Sequence, residues 1–450
     1  MRNFPIRPAL TILTFAVLLW IAGSVRSDIH GLSAALFTSP LDFRPARMPS
    51  TPEAAPFAVR PSSPLPHPFL EDPSGALNHF YDSLWRSERK EPGAVTRIVH
   101  YGDSPTTADL ITADARALLQ HNYGDAGLGF ILAAKPWAWY AHRGVQLSGS
   151  GWSIHTPIHP DLRDRMYGLG GVAFITSGEA TTRLVLQDQG QTSVEVSFLR
   201  QPGGGTITVS SGELTLGQVD TAAETAEAGF AAFDLHPPTK EIEIHAAGNV
   251  RVFGITLEKA GTGVVYDSLG LNGAFTTILA HTFDQRHWTE QLQHRKPDLL
   301  ILNYGTNESG FAPYVDKVYE KELRLAVSRL RAALPQCSLL IMSPMDRAER
   351  ESGDEVRTLA SLPRLVEIQR RVALETGCAF FDTFHAMGGD GTAARWYDAH
   401  PRLMSADFIH PTPAGARLVG ERFYRALSQG LGEYKVSYIR KESMASKRIK

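Results

Sequence analysis

From about residue 145 to 258 helical periodicity nearly vanishes, and short alternating segments replace it at 182–186, 193–199, 206–210, 241–245 and 250–257. Turn residues separate them, including Gly203-Gly204-Gly205. Short strands at this spacing indicate an all-β sandwich or jelly roll. The chain on either side has a different rhythm. TRIVHY (96–101) reads as a strand, followed by a helical stretch over 107–121. An amphipathic helix over 76–86 precedes it. Beyond Lys259 come strand 298–304, helix 315–334, strand 338–343, helix 362–376, strand 379–381 and a last helix after Pro413. Continuous apolar strands alternating with helices imply an α/β parallel sheet covered on both faces. The β segment is therefore inserted into the α/β domain, not appended to it.

The first residues are of another kind. Arg2 and Arg7 precede an apolar run over 9–23, and Ala22, Gly23 and Ser24 offer a cleavage neighbourhood. That pattern is an export signal or an uncleaved N-terminal anchor, since the run is short for a membrane span of about 20 residues. Either way the bulk of the chain is expected outside the cytoplasm. Prolines crowd the stretch from Ser39 to Pro73, which disfavours helix and sheet and reads as an extended linker. A formal net charge of -2 over 450 residues offers no dominant basic face, so no nucleic-acid partner is expected. The basic tail over 441–450 reads as a solvated terminus. Cys337 and Cys378 have no metal-ligand spacing. Each precedes an apolar run, which puts both at one end of the sheet and leaves a disulfide and two reduced core thiols equally open.

Four short blocks carry chemistry. Gly102-Asp103-Ser104 follows the first strand, at the edge where parallel sheets bind ligands. There Ser104 can be a nucleophile with its own N–H facing an oxyanion, or Asp103 and Ser104 can merely cap the next helix. Asp407-Phe408-Ile409-His410-Pro411 supplies what a serine hydroxyl needs, an imidazole base and a carboxylate to orient it. Tyr304-Gly305-Thr306-Asn307-Glu308 ends the strand over 298–304, so the Asn307 amide can donate to the same oxyanion. The stretch from Asp267 to Ala274, through Gly270 and Gly273, reads as a turn where the chain returns from the β insert. A glycine there lets backbone N–H groups approach a substrate.

In this order the blocks resemble those of the SGNH (GDSL-type) hydrolase family: Ser in Gly-Asp-Ser, a Gly, Asn in Gly-x-Asn, and Asp-x-x-His. They match Ser104, Gly273 (with Gly270 the lesser candidate), Asn307 with Gly305, and Asp407 with His410. Glu308 stands where the family often has Asp, and little consequence is expected because Asn307 is the donor. The resemblance implies a three-layer, flavodoxin-like hydrolase and a catalytic set of Ser104, Asp407 and His410. It implies an oxyanion hole of Ser104, Gly273 and Asn307, and no metal or organic cofactor. The late second block, with YGDAGLGF (123–130), VVYDSLGLNGA and NYGTNES, is similar to peptidoglycan O-acetylesterases that carry an inserted carbohydrate-binding-like sandwich.

The expected layout is a signal or anchor over 1–27, linker 28–73, hydrolase 74–144 and 259–430, insert 145–258 and tail 431–450. The expected function is an exported esterase that removes O-acetyl groups from a polysaccharide, peptidoglycan first. Polysaccharide O-acetyltransferase, another carbohydrate acetylesterase, lipase and non-catalytic glycan-binding protein are the alternatives. Trp152 is a candidate for glycan contact in the insert, and Trp137, Trp139 and Tyr140 for lining the cleft. Oligomeric state is left open.

Overall fold

The computed structural model describes residues 69–351 and 355–448. The N-terminal apolar run and most of the proline-rich stretch lie outside the described residues. Six strands form the central sheet: β1 Leu70–Glu71, β2 Val95–Gly102, β3 Gly263–Gly270, β4 Leu299–Asn303, β5 Ser338–Met342 and β6 Ala379–Phe381. Their spatial order is β1-β6-β5-β4-β2-β3. All neighbours run parallel except the short edge strand β1 against β6. Without β1 this is the flavodoxin-like order, whose switch point lies between β2 and β4. β1 falls within the stretch read as linker, yet Leu70 and Glu71 pair with Phe381 and Phe380.

Side-chain alternation along the strands sorts the helices onto two faces. Ile98, Tyr266, Ile301, Leu340 and Phe381 meet α1 (Asn78–Glu88), α2 (Ile111–Tyr123) and the long C-terminal α6 (Pro413–Arg448). Val99, Leu300, Ile341 and Phe380 face the other way, onto α3 (Gln285–Arg295), α4 (Glu320–Ala333) and α5 (Ser361–Glu375). The long α6 continues to Arg448, into the basic tail, where Lys441 and Ser443 are exposed. Leu431 is buried, and Tyr434 and Tyr438 pack edge-on to Trp85 of α1. Cys337 and Cys378 are both buried and free. Burial pushes the Cys337 thiol up to about 12.

Between β2 and β3 the chain builds two antiparallel sheets face to face. One orders 214–220, 206–211, 241–247, 179–186 and 145–150; the other orders 227–234, 193–200, 250–258, 173–176 and 153–155. Gly129–Ile131 also pairs with 250–258. This is the expected inserted sandwich, but its interior is not separate. Phe174, Val196 and Ile244 from the sandwich share one buried cluster with the α3–α5 face of the central sheet. A buried charge network also crosses the seam. Arg295 of α3 donates to Asp267 of β3 (2.5 and 2.9 Å) and to Glu258 of the sandwich (2.5 Å), while Arg97 of β2 holds the other oxygen of Glu258 (2.8 Å). Asp267, read from sequence as part of a turn, thus lies within a strand.

Candidate active site

β2 ends at Gly102, and Ser104 opens a single helical turn, Ser104–Thr107. The expected continuous helix is broken: α2 starts only at Ile111, after Asp109 with φ +50°. Asp109 is held there by a buried pair with Arg116 (2.6 Å). One turn has little macrodipole, so dipole support for an oxyanion is smaller than a full helix would give. Asp103 does not cap the turn either. Its buried carboxylate accepts instead from the Thr306 N–H (3.1 Å), tying the turn of Ser104 to that of Asn307.

Asp407, Phe408, Ile409 and His410 form a tight turn. Phe408 has φ +55°, rare for a bulky residue, and is fixed by burial and by a tilted contact with the Tyr397 ring (4.9 Å). The turn folds the Asp407 carboxylate back on its own chain. One oxygen accepts from the N–H groups of Ile409 and His410 (3.0 and 3.1 Å), and the other lies 2.7 Å from His410 Nδ1. Partial burial raises the Asp407 pKa, but the bonds from His410 and from both N–H groups outweigh it and bring it to about 2. An ionised carboxylate only accepts, so Nδ1 carries the proton and Nε2 is left as acceptor in the neutral ring. His410 Nε2 lies 2.8 Å from Ser104 Oγ, so the hydroxyl donates to it. Ser104 and, 306 residues further on, His410 with its neighbour Asp407 therefore form one hydrogen-bonded line.

β4 delivers Asn307 across the switch point. Its Nδ2 donates to the Ala274 carbonyl (2.9 Å), which uses one of its two hydrogens and brings it to the turn after β3. In that turn Gly273 has φ +74°, a conformation that suits glycine. Gly270, the lesser candidate, serves packing: a Cβ there would lie 2.5 Å from the Thr107 nitrogen.

Glu308 has a role that its sequence reading did not give it. It is fully buried, and one oxygen accepts from both the N–H and the hydroxyl of Thr276 (2.7 and 2.8 Å). Burial raises its pKa. Burial, then the charge of Glu308, raises Asp103 to about 7. Arg347 Nη1 donates to the Thr306 carbonyl (2.5 Å) from a loop that sequence patterning left unassigned. The segment before the sandwich also reaches the site, since Ala141 N–H meets the Thr107 carbonyl (3.5 Å). Trp139 there is half exposed, whereas Tyr140 is buried with its hydroxyl accepting from the Leu132 N–H. Trp152 is no exposed platform: its indole N–H is bonded within the sandwich to Thr181 and Thr182, and the ring packs on Phe174.

The sheet order and the residues at its switch point define a class. Residues 245–418 match the GDSL-like Lipase/Acylhydrolase family model. The matched stretch holds Gly273, Asn307, Asp407 and His410; Ser104 lies outside it, on the far side of the insert. A solved structure described as a peptidoglycan O-acetylesterase in action is similar over 81% of this chain and 99% of its own, with TM-score 0.70 and 23% identity. A family two carbohydrate esterase from Clostridium thermocellum, solved with cellohexaose, aligns over 63% of this chain and 99% of its own, with TM-score 0.27 and 11% identity. An acetyl xylan esterase aligns over 36% of this chain and 80% of its own, with TM-score 0.27 and 17% identity. No curated protein sequence matches the chain.

Proposed function

We propose that this acylhydrolase is an exported serine esterase that removes O-acetyl groups from a polysaccharide, peptidoglycan first. The observation that carries the reading is the line from Ser104 Oγ through His410 to Asp407. Ser104 Oγ attacks the acetyl carbonyl carbon, and its proton passes to His410 Nε2. Asp407 stabilises the imidazolium that results. The carbonyl oxygen, now an oxyanion, is met by the N–H groups of Ser104 and Gly273 and by the second Nδ2 hydrogen of Asn307. Collapse expels the sugar oxygen, which takes the proton from His410. Water, deprotonated by His410, then cleaves the acyl-serine and releases acetate. No step calls for a metal or an organic cofactor.

The glycan assignment is supported by the likeness to a peptidoglycan O-acetylesterase over 81% of the chain and by half-exposed Trp139, two residues before Ala141, whose N–H meets the Thr107 carbonyl. Aromatic faces of this kind stack on sugar rings. The extracytoplasmic assignment is supported by the charged and apolar N-terminal run, with attachment to the membrane where that run is retained. The test is acetate release from O-acetylated peptidoglycan, with O-acetylated xylan beside it and Ser104→Ala as control. Release from peptidoglycan that disappears in the variant is the expected result. Release from xylan alone would move the substrate. No release from either, with Ser104 still labelled by a fluorophosphonate, would replace the hydrolase by a transferase lacking its acceptor.

A further inference from the structure

Beyond the ends of the β2–β3 and β2–β4 ladders at Gly102, the three blocks around the proposed oxyanion site are fastened to one another by side chains. Asp103, next to Ser104, takes the N–H of Thr306, next to Asn307. Asn307 gives Nδ2 to Ala274, next to Gly273. Glu308, on the other side of Asn307, takes both donors of Thr276, two residues beyond Ala274. The turn from Leu271 to Ala274 has backbone bonds of its own at Leu271 N–H to Gly102 and Ala274 N–H to Leu271. Neither of these bonds reaches Asn307. Glu308 and Thr276 are both fully buried, so this clamp does not exchange with water.

We infer that Glu308 is a positioning residue of the oxyanion site, holding the turn of Gly273 in register with Asn307 through its paired bonds to Thr276. The inference rests on the esterase reading of the same site. It turns on side-chain length. Aspartate is one methylene shorter, about 1.5 Å less reach. From the same backbone it would leave Thr276 about 4 Å away, too far for a hydrogen bond. Glutamine keeps the length and an acceptor oxygen. The clamp acts on the geometry of the turn and touches no substrate, so it governs kcat and spares KM. A displacement of about 1 Å at a reacting centre costs about a hundredfold in rate.

The experiment is steady-state hydrolysis of a small acetyl ester by the full chain, per folded molecule counted by circular dichroism. Glu308→Asp should lose about a hundredfold in kcat with KM within about twofold, and Glu308→Gln should recover at least tenfold of that loss. Thr276→Val removes one of the two donors. It should lose about tenfold in kcat, recovered by Thr276→Ser, and it carries the test where Glu308→Asp does not fold. Wild-type kcat in Glu308→Asp or Thr276→Val, or a Glu308→Gln no better than Glu308→Asp, overturns the positioning role. If Ser104→Ala is inactive in the same assay, that result leaves the esterase reading standing. If Ser104→Ala still hydrolyses the ester, both readings fall.

Discussion

Arg295→Met isolates the network that joins the sandwich to the hydrolase. The guanidinium is 7% exposed and its partner Asp267 fully buried, so the change strands a carboxylate that keeps the Phe130 N–H but loses its cation. Glu258 is less affected, because Arg97 still holds its other oxygen. Breaking a buried pair from one side costs about 3–5 kcal/mol, most of it the uncompensated charge. Urea unfolding followed by tryptophan fluorescence reads this directly, because Trp288 sits on the same helix as Arg295. The expected result is a lower midpoint with an unchanged slope, in one transition, since one core spans both halves. Adding Asp267→Asn to Arg295→Met removes the stranded charge and should recover about half the loss. A single variant costing under about 1 kcal/mol, the scale of a surface pair, would refute the reasoning. So would a double variant no better than the single.

Asp103 carries the pH dependence. Its folded pKa of about 7 lies above the unfolded value near 3.9, so the folded state binds more protons between the two, and stability is lost as pH rises from about 4 to about 7. Asp103→Asn keeps an acceptor for Thr306 and removes the ionisation. Its unfolding free energy should therefore fall less than that of the parent between pH 4.5 and 7.5, and parallel profiles would contradict this. Asn307→Ala should lower kcat for acetyl-ester hydrolysis about a hundredfold to a thousandfold in a folded protein. Gly273→Ala meets no neighbouring atom but forces alanine to φ +74°. It should cost about 1–2 kcal/mol by urea unfolding and lower kcat further than that loss explains.

The parts legible in sequence were those whose physics is local and strongly apolar. The five sandwich strands read from alternation all lie inside their sheets, at 179–186, 193–200, 206–211, 241–247 and 250–258. Of the six missed, 145–150, 153–155, 214–220 and 227–234 are edge strands, whose residues need not be apolar because one side meets water. The α3 helix was missed because QRHWTEQLQHR offers only Trp288 and Leu292 as large apolar residues, and its other contacts to the sandwich are polar, such as Gln291 to Ser197. The blocks holding Ser104, His410, Asp407 and Asn307 stood out because each sits at a strand end or just before a helix. The bonds of Asp103 to Thr306 and of Glu308 to Thr276 were not, because pairings between distant loops leave no local pattern.

β2 lies between β4 and β3, yet the whole sandwich is encoded between β2 and either neighbour. A ribosome delivers the strand of the nucleophile early and both of its partners much later. Contacts this distant in sequence are slow to close. His410 comes later still, just before the last helix. A chain interrupted between Ser104 and that point would, on the proposed reading, hold the serine without its imidazole partner. On the proposed reading, the hydrogen-bonded line from Ser104 to Asp407 can close only across a sequence separation of 306 residues.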